Sequence, residues 1–337
     1  MCYIAAVSGR FDLMKKTVTV ISAVLILGGA LFLAMPKQEP RMPQDCKLQF
    51  TAMGTTAAIT FLNVPAPVAL EAAQTVRETF RLVTECASIH DKKSELSRLN
   101  ASAYDAPFAC SGMLWQMILE AERAWHFSGG AFDITVKPLM DLWGFYRKRG
   151  SAPSPEEIAS AKQKVGFDKL ELDKVRKTIR FKVSGMALDL GGIAKGYALD
   201  FAAAQISRKV PSGVLDLGGN LKFLASPPPG KQFYLVGIRD PGKPDQLKQQ
   251  MLQCAPGTAV STSGDYERKV VYGDREYGHI MDPQQGCPPR MEHAATVCCT
   301  SATRADWLST ALYLRGSGLM EKIKKTWRDC RVELVKK

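Results

Sequence analysis

The sequence contains neither G-x-G-x-x-G nor G-x-x-x-x-G-K-[ST], so it spells out neither a dinucleotide fingerprint nor a P-loop. It also lacks a C-x-x-C pair and any Cys/His cluster, so its nine cysteines give no zinc spacing. No clean β-α-β-α alternation runs along it, which argues against a doubly wound parallel sheet and for a mixed α+β fold. Lysine and arginine number 45 against 33 acidic residues, a formal charge of +12. These basic residues form no concentrated tract and no motif interleaved with aromatics, so the excess is a diffuse basic surface and nucleic acid is not an expected partner.

Charge is missing altogether from residues 17–36, and 18–35 is almost wholly apolar, with Lys15 and Lys16 before it and Lys37 after. About 20 such residues suit a signal peptide or a membrane-spanning helix. Basic residues on the N-terminal side put that end in the cytoplasm and the body outside, on the periplasmic side of a bacterial envelope. No cysteine directly follows the run, so a lipoprotein anchor is not supported; cleavage after Ala30 and retention as an inner-membrane anchor both stay open. The expected organisation is a cytoplasmic extension over 1–16, the apolar helix over 17–36, a linker over 37–46 carrying Pro40 and Pro43, and one folded body over 47–337. In an oxidising compartment the body's cysteines are allowed to pair. Cys298 and Cys299 would point to opposite faces of a strand and are poor partners for each other; the pairing stays open.

Hydrophobic residues make up 46% of the chain, enough for a large core. Residues 48–62 alternate as a strand interrupted at Met53-Gly54-Thr55, where Gly54 marks a bulge or a close backbone approach. Helices are expected over 67–89, 111–127, 154–165, 193–208 and 304–315, with a short capped turn at 94–100. A glycine turn at 129–130 leads into an extended segment and then a helical turn over 139–145. Strands are expected near 169–173 and 178–183. Further strands at 233–238, 258–262, 268–272 and 276–281 extend one antiparallel sheet, and a last strand lies near 294–299.

Leu188-Asp189-Leu190-Gly191-Gly192-Ile193-Ala194-Lys195-Gly196-Tyr197 reads as strand, tight turn and helix. Glycines let backbone approach a ligand, a helix start offers unpaired N–H groups, and Lys195 adds a full positive charge, which suits a phosphate or diphosphate. The letters Leu-Asp-Leu-Gly-Gly recur at 215–219, where an alternating segment follows and a β-hairpin turning at Gly218-Gly219-Asn220 is expected. Polar groups gather beside glycines at Met53-Gly54-Thr55, Phe132-Asp133-Ile134-Thr135, Ser261-Thr262-Ser263-Gly264-Asp265-Tyr266 and Gly278-His279-Ile280-Met281-Asp282-Pro283. In the last expected helix Asp306 and Thr310 share one face. Either Asp306 forms a capping box with Thr303, or the pair ligates a hard cation such as magnesium.

Taken in this order the stretches resemble the ApbE family of FAD:protein FMN transferases over most of the body. The specific parts are Asp189-Leu190-Gly191-Gly192-x-x-Lys195-Gly196-Tyr197, Thr262-Ser263-Gly264-Asp265-Tyr266, His279-Ile280-x-Asp282-Pro283 and Ala305-Asp306-x-x-x-Thr310-Ala311-Leu312. The resemblance implies a T-fold-like α+β body of largely antiparallel sheets with packed helices. It implies an exported enzyme that takes FAD and Mg2+ and transfers FMN to a threonine or serine hydroxyl of an acceptor protein, such as a membrane redox subunit, releasing AMP. By matching position, Met53, Ala131, Phe132, Asp133, Asp189, Lys195 and Ile280 would contact FAD. Asp306, Thr310 and the Gly192 carbonyl would ligate magnesium, and His279 would serve as general base beside Asp306. Gly278 stands where many relatives carry a second histidine, and Gln285 replaces a common threonine. The competing expectations are an FAD pyrophosphatase and a non-catalytic flavin-binding assembly factor.

Overall fold

The computed structural model describes residues 44–240, 243–264, 269–290 and 293–336. The expected apolar helix, most of the linker, and Asp265 and Tyr266 lie outside these residues. No helix among the described residues is long and apolar enough to cross a membrane.

The chain enters through β1 (Gln44–Ala52) and β2 (Thr55–Val64), a hairpin rather than one interrupted strand. Met53 and Gly54 both have positive φ, 49° and 71°, the backbone of a two-residue turn whose twist matches the strands it joins. In β2 the alternation of Ala57, Ile59 and Phe61 places all three in the core. Two further strands, β6 (Gly213–Leu217) and β7 (Asn220–Phe223), are joined by Gly218 and Gly219 at φ 62° and 86°. With β10 (Ala259–Ser263), β13 (His293–Cys299) and β14 (Arg331–Lys336) they complete a seven-stranded antiparallel sheet in the order β1-β2-β6-β7-β10-β13-β14.

One face of the sheet carries α1 (Ala66–Ala87), α6 (Ala194–Ile206) and α7 (Ala302–Arg315), with α3 (Gly112–Ser128) packed on α1 and α7. The other face meets a separate hairpin, β8 (Tyr234–Asp240) with β9 (Lys243–Cys254), through Phe223, Tyr234, Cys254, Val260 and Cys298. Cover on both faces explains why six of the seven residues of β13 are buried. Of the four strands expected to extend one sheet, β10 alone joins it; β8 pairs with the polar β9, and β11 (Lys269–Tyr272) pairs with β12 (Arg275–Gly278) as a second separate hairpin.

Smaller elements sit at the margins. A three-stranded sheet is formed by β3 (Phe108–Ala109), β5 (Thr178–Phe181) and β4 (Leu170–Asp173). The expected capped turn is α2 (Glu95–Ser102), with Ser94 as its N-cap. The extended segment expected after Gly130 is instead a 3-10 turn, Ile134–Val136, running into α4 (Lys137–Leu142). Asp133 folds it by accepting from the backbone N–H and the hydroxyl of Thr135 at 2.8 and 2.6 Å. With α5 (Pro155–Lys162), α4 forms a satellite core around Leu139, Met140, Trp143 and Met281. Beyond α7, the amphipathic α8 (Ser317–Thr326) buries Leu319 and Ile323, and a disulfide joins Cys299 to Cys330 just before β14.

Candidate active site

Leu188 and Leu190 are fully buried and hold Asp189 between them at the edge of the core. The strand expected here pairs with no neighbouring strand. The side chain of Asn100 takes that place, accepting from the Leu188 N–H at 2.7 Å and donating to its carbonyl at 2.9 Å. Asp189 turns the chain by accepting from the Gly191 N–H at 2.8 Å, and its other oxygen accepts from the Tyr146 hydroxyl. The Tyr146 ring stands edge-on to His90 at 5.5 Å, with the Lys137 ammonium 5.5 Å from its centroid.

Helix α6 begins at Ala194 without a side-chain cap of its own, since Ile193 stands at the N-cap. The missing acceptor comes from α7. Asp306, 5% exposed, accepts from the Gly196 N–H at 2.9 Å through one oxygen and from the Asn220 side-chain amide at 2.8 Å through the other. A carboxylate there satisfies an orphan donor and opposes the helix dipole. The approach demands glycine, because a Cβ on Gly196 would lie 2.3 Å from the Ala302 carbonyl oxygen and 2.8 Å from the Asp306 Cβ. Gly192 is wedged similarly, its Cβ position 2.9 Å from Phe132 Cε2 and 3.7 Å from Thr310 Oγ1.

The capping box expected between Thr303 and Asp306 does not form. Ser301 is the N-cap of α7, its hydroxyl accepting from the Arg304 N–H at 3.2 Å. Asp200 of α6 then reinforces that end by accepting from the N–H groups of Ala302 and Thr303, each at 2.9 Å, with Lys222 3.1 Å away. Burial pushes the Asp200 carboxyl upward, but Lys222 and these N–H groups outweigh it and leave the group below its ordinary range. Thus α6 and α7 cap each other in both directions.

Below Asp306 lies a chain of hydroxyls. Ser261 donates to the Asn220 carbonyl oxygen at 2.8 Å and lies 3.1 Å from Ser309; Ser263 lies 2.8 Å from Ser309 and 3.2 Å from Thr310. Lys195 is half-buried; burial raises the Asp216 carboxyl against the opposing pull of the Gly219 N–H and the Lys195 charge. Met53 and Gly54 turn at the same end of the sheet, where Gly218 donates to the Thr56 carbonyl at 2.9 Å.

Ala131 and Phe132 are buried against the core, Phe132 between Gly192 and Trp307. The Asp133 carboxylate is engaged by the chain itself, accepting also from the Phe167 N–H at 3.1 Å. Burial raises its pKa despite those bonds. His279 is half-buried just after β12, and Ile280 is buried. Their segment is tied to α7 by Asp282, 3.2 Å from Arg315, and to the Gly129 carbonyl by the Gln284 amide at 3.0 Å. Gln285, where the resemblance leads one to expect threonine, donates its backbone N–H to Asp282 at 3.2 Å.

The donor set fits a magnesium ion in kind. Among the described residues, no group of three or more His, Cys, Asp or Glu is placed to hold a metal. The oxygens the resemblance assigns are the Asp306 carboxylate, the Thr310 hydroxyl and the Gly192 carbonyl, and Thr310 lies 3.7 Å from the Gly192 Cβ position. Magnesium is commonly held by one or two carboxylates together with phosphate oxygens and water, a donor set of the kind a carboxylate, a hydroxyl and a carbonyl supply.

Sequence reasoning missed Asn100, Tyr146 and Asn220 as organisers of this region. Asn220 had a signal, standing directly after the second Gly-Gly. Asn100 and Tyr146 had none, since they reach their partners over 88 and 43 residues.

Known proteins share this fold. The ApbE family profile matches residues 53–332. The FAD:protein FMN transferase of Haemophilus influenzae is 28% identical over 312 residues, covering 90% of this chain and 88% of its own length. That of Treponema pallidum is 30% identical over 74% of this chain and 73% of its own. Among solved structures, the ApbE protein of Thermotoga maritima superposes with a TM-score of 0.79 at 29% identity, covering 87% of this chain and 94% of that one. The Pseudomonas stutzeri flavinyl transferase ApbE, apo form, gives 0.75 at 26%, covering 88% and 92%. With a family match over residues 53–332, this chain belongs to the ApbE family.

Proposed function

We propose that this protein is an FAD:protein FMN transferase that moves FMN from FAD to a threonine or serine hydroxyl of an acceptor protein and releases AMP in a magnesium-dependent reaction. The observation that carries this reading is the bridge made by Asp306 between the start of α6 and Asn220. It brings the 189–196 loop, the second Gly-Gly turn and the hydroxyl chain of β10 to one place, and relatives of this construction carry the transferase name.

In this reading the acceptor oxygen bonds to the FMN phosphorus, the bond from that phosphorus to the AMP oxygen breaks, and the hydroxyl proton passes to a base, for which His279 is assigned. Lys195 and the α6 start oppose the diphosphate charge. Met53, Ala131, Phe132, Asp133, Asp189 and Ile280 line the FAD path. Asp306, Thr310 and the Gly192 carbonyl hold magnesium, which when bound supplies Lewis-acid neutralisation of phosphate charge. The 17–36 segment delivers the body to the periplasmic side of the envelope, anchored or cleaved, where an exported or membrane acceptor is met.

The test is incubation with FAD, magnesium and a candidate acceptor, followed by denaturing electrophoresis. Flavin fluorescence migrating with the acceptor is the expected result. Free FMN and AMP with no labelled acceptor would replace the transferase reading by a pyrophosphatase.

A further inference from the structure

Adjacent cysteines on β13 face opposite sides of the main sheet, as strand geometry requires. Cys299 turns to the helix side and is bonded to Cys330, with Cα atoms 4.4 Å apart. Cys298 turns the other way, into the apolar layer that seats the β8–β9 hairpin. There its sulfur lies 3.9 Å from that of Cys254, and both residues are buried, Cys254 completely.

We propose that Cys254 and Cys298 form a second disulfide, which fastens the β8–β9 hairpin covalently to the back of the seven-stranded sheet. The partners are already aimed at each other: the sulfurs need approach by only about 2 Å to reach bonding distance, a shift within the range of side-chain rotation. Their backbones are fixed independently, Cys298 opposite Val260 in the sheet and Cys254 opposite Tyr234 in the hairpin. The Tyr234 hydroxyl donates to the Ser226 carbonyl at 2.6 Å and accepts from the Gly213 N–H at 3.0 Å, so the hairpin is seated on the sheet beside the pair.

The oxidant is a small disulfide such as glutathione disulfide. The Cys298 thiolate attacks one of its sulfurs and releases one small thiol. Cys254 gives up its proton and attacks the Cys298 sulfur of the mixed disulfide, releasing the second thiol. Two protons and two electrons thus pass from the protein thiols to the oxidant. Burial of both sulfurs places the exchange before the hairpin docks, during folding.

The experiment refolds the reduced full chain in a glutathione redox buffer, blocks remaining thiols with iodoacetamide, and digests it with trypsin without reduction. Cys298 and Cys299 share the tryptic peptide 291–304, Cys254 lies in 249–268 and Cys330 in 329–331. The proposal predicts one species of all three peptides, which separates on reduction. In the Cys254→Ser protein the same analysis leaves 291–304 joined to 329–331 alone, with Cys298 alkylated. Recovery of that two-peptide species from the unaltered chain, with Cys254 and Cys298 both alkylated, would overturn the proposal.

Discussion

The same five letters, Leu-Asp-Leu-Gly-Gly, occur at 188–192 and 215–219 and fold in two ways. In both, the leucines are fully buried and the aspartate folds back on the glycines. Asp189 accepts from the N–H two residues on, while Asp216 accepts from the N–H three residues on, at 2.9 Å. Gly218 and Gly219 take positive φ and reverse the chain into β7; Gly191 and Gly192 do not, and the chain runs on into α6. The residues that follow decide the outcome: Asn220-Leu221-Lys222-Phe223 alternates and pairs back along β6, whereas Ile193-Ala194-Lys195-Gly196 has helical spacing and no strand to join. The local motif therefore supplies a turn, and its surroundings supply the role. Asp306 then ties together the segments that follow them, one oxygen on the Gly196 N–H and the other on the Asn220 amide.

Breaking the loop copy should cost more than breaking the hairpin copy. Gly196→Ala drives a methyl into the Ala302 carbonyl, so a loss of about 3 kcal/mol or more is expected by urea unfolding. Gly219→Ala meets nothing within 4 Å and bears only the cost of φ +86°, about 1 kcal/mol. Equal losses would mean that the crossing of α6 and α7 is not the constraint described.

Asp200→Asn removes the charge that secures the start of α7 and should lower stability by about 1–2 kcal/mol, the scale of a helix cap. The sign with pH follows from its lowered folded value. The contribution is complete above the ordinary aspartate range of about 3.9 and is lost as pH falls through the lower folded pKa. The variant's stability should therefore depend less on pH on the acid side, and an unchanged acid limb would remove Asp200 from the account.

Tyr146→Phe deletes the hydroxyl that Asp189 accepts, with no counterpart at Asp216. Its expected effect is a rise in KM for FAD of roughly five- to tenfold, equivalent to about one hydrogen bond, with urea stability nearly unchanged. Asp216→Asn, on the hairpin copy, should change KM less. The reverse ranking would exchange the roles assigned to the two copies.

Most regular elements were legible because their patterns are local. Ile59 and Phe61 alternate, Val76, Phe80 and Val83 follow helical spacing, and Gly-Gly marks both turns. β9 and β14 were not legible, because polar and charged residues are mixed among their apolar ones and their strand state depends on partners distant in sequence. The site was legible as separate stretches of polar residues and glycines, and the resemblance joined them. Neither periodicity nor motif showed that Asp306 caps a different helix, or that Asn100 substitutes for a strand, since both facts arise from packing across the fold. The Asp133 carboxylate illustrates the converse: it stood out as a site residue and is engaged in folding its own turn.

Asp306 joins the start of α6 to Asn220, and in the proposed function that bridge belongs to one magnesium and FAD site. The direct measurement is acceptor labelling by the Asp306→Ala protein across a magnesium titration, with circular dichroism confirming that it is folded. The account predicts that labelling falls by about 100-fold or more, the scale of a removed electrostatic stabiliser, and is not restored by excess magnesium. Labelling equal to the unaltered chain in excess magnesium would contradict it.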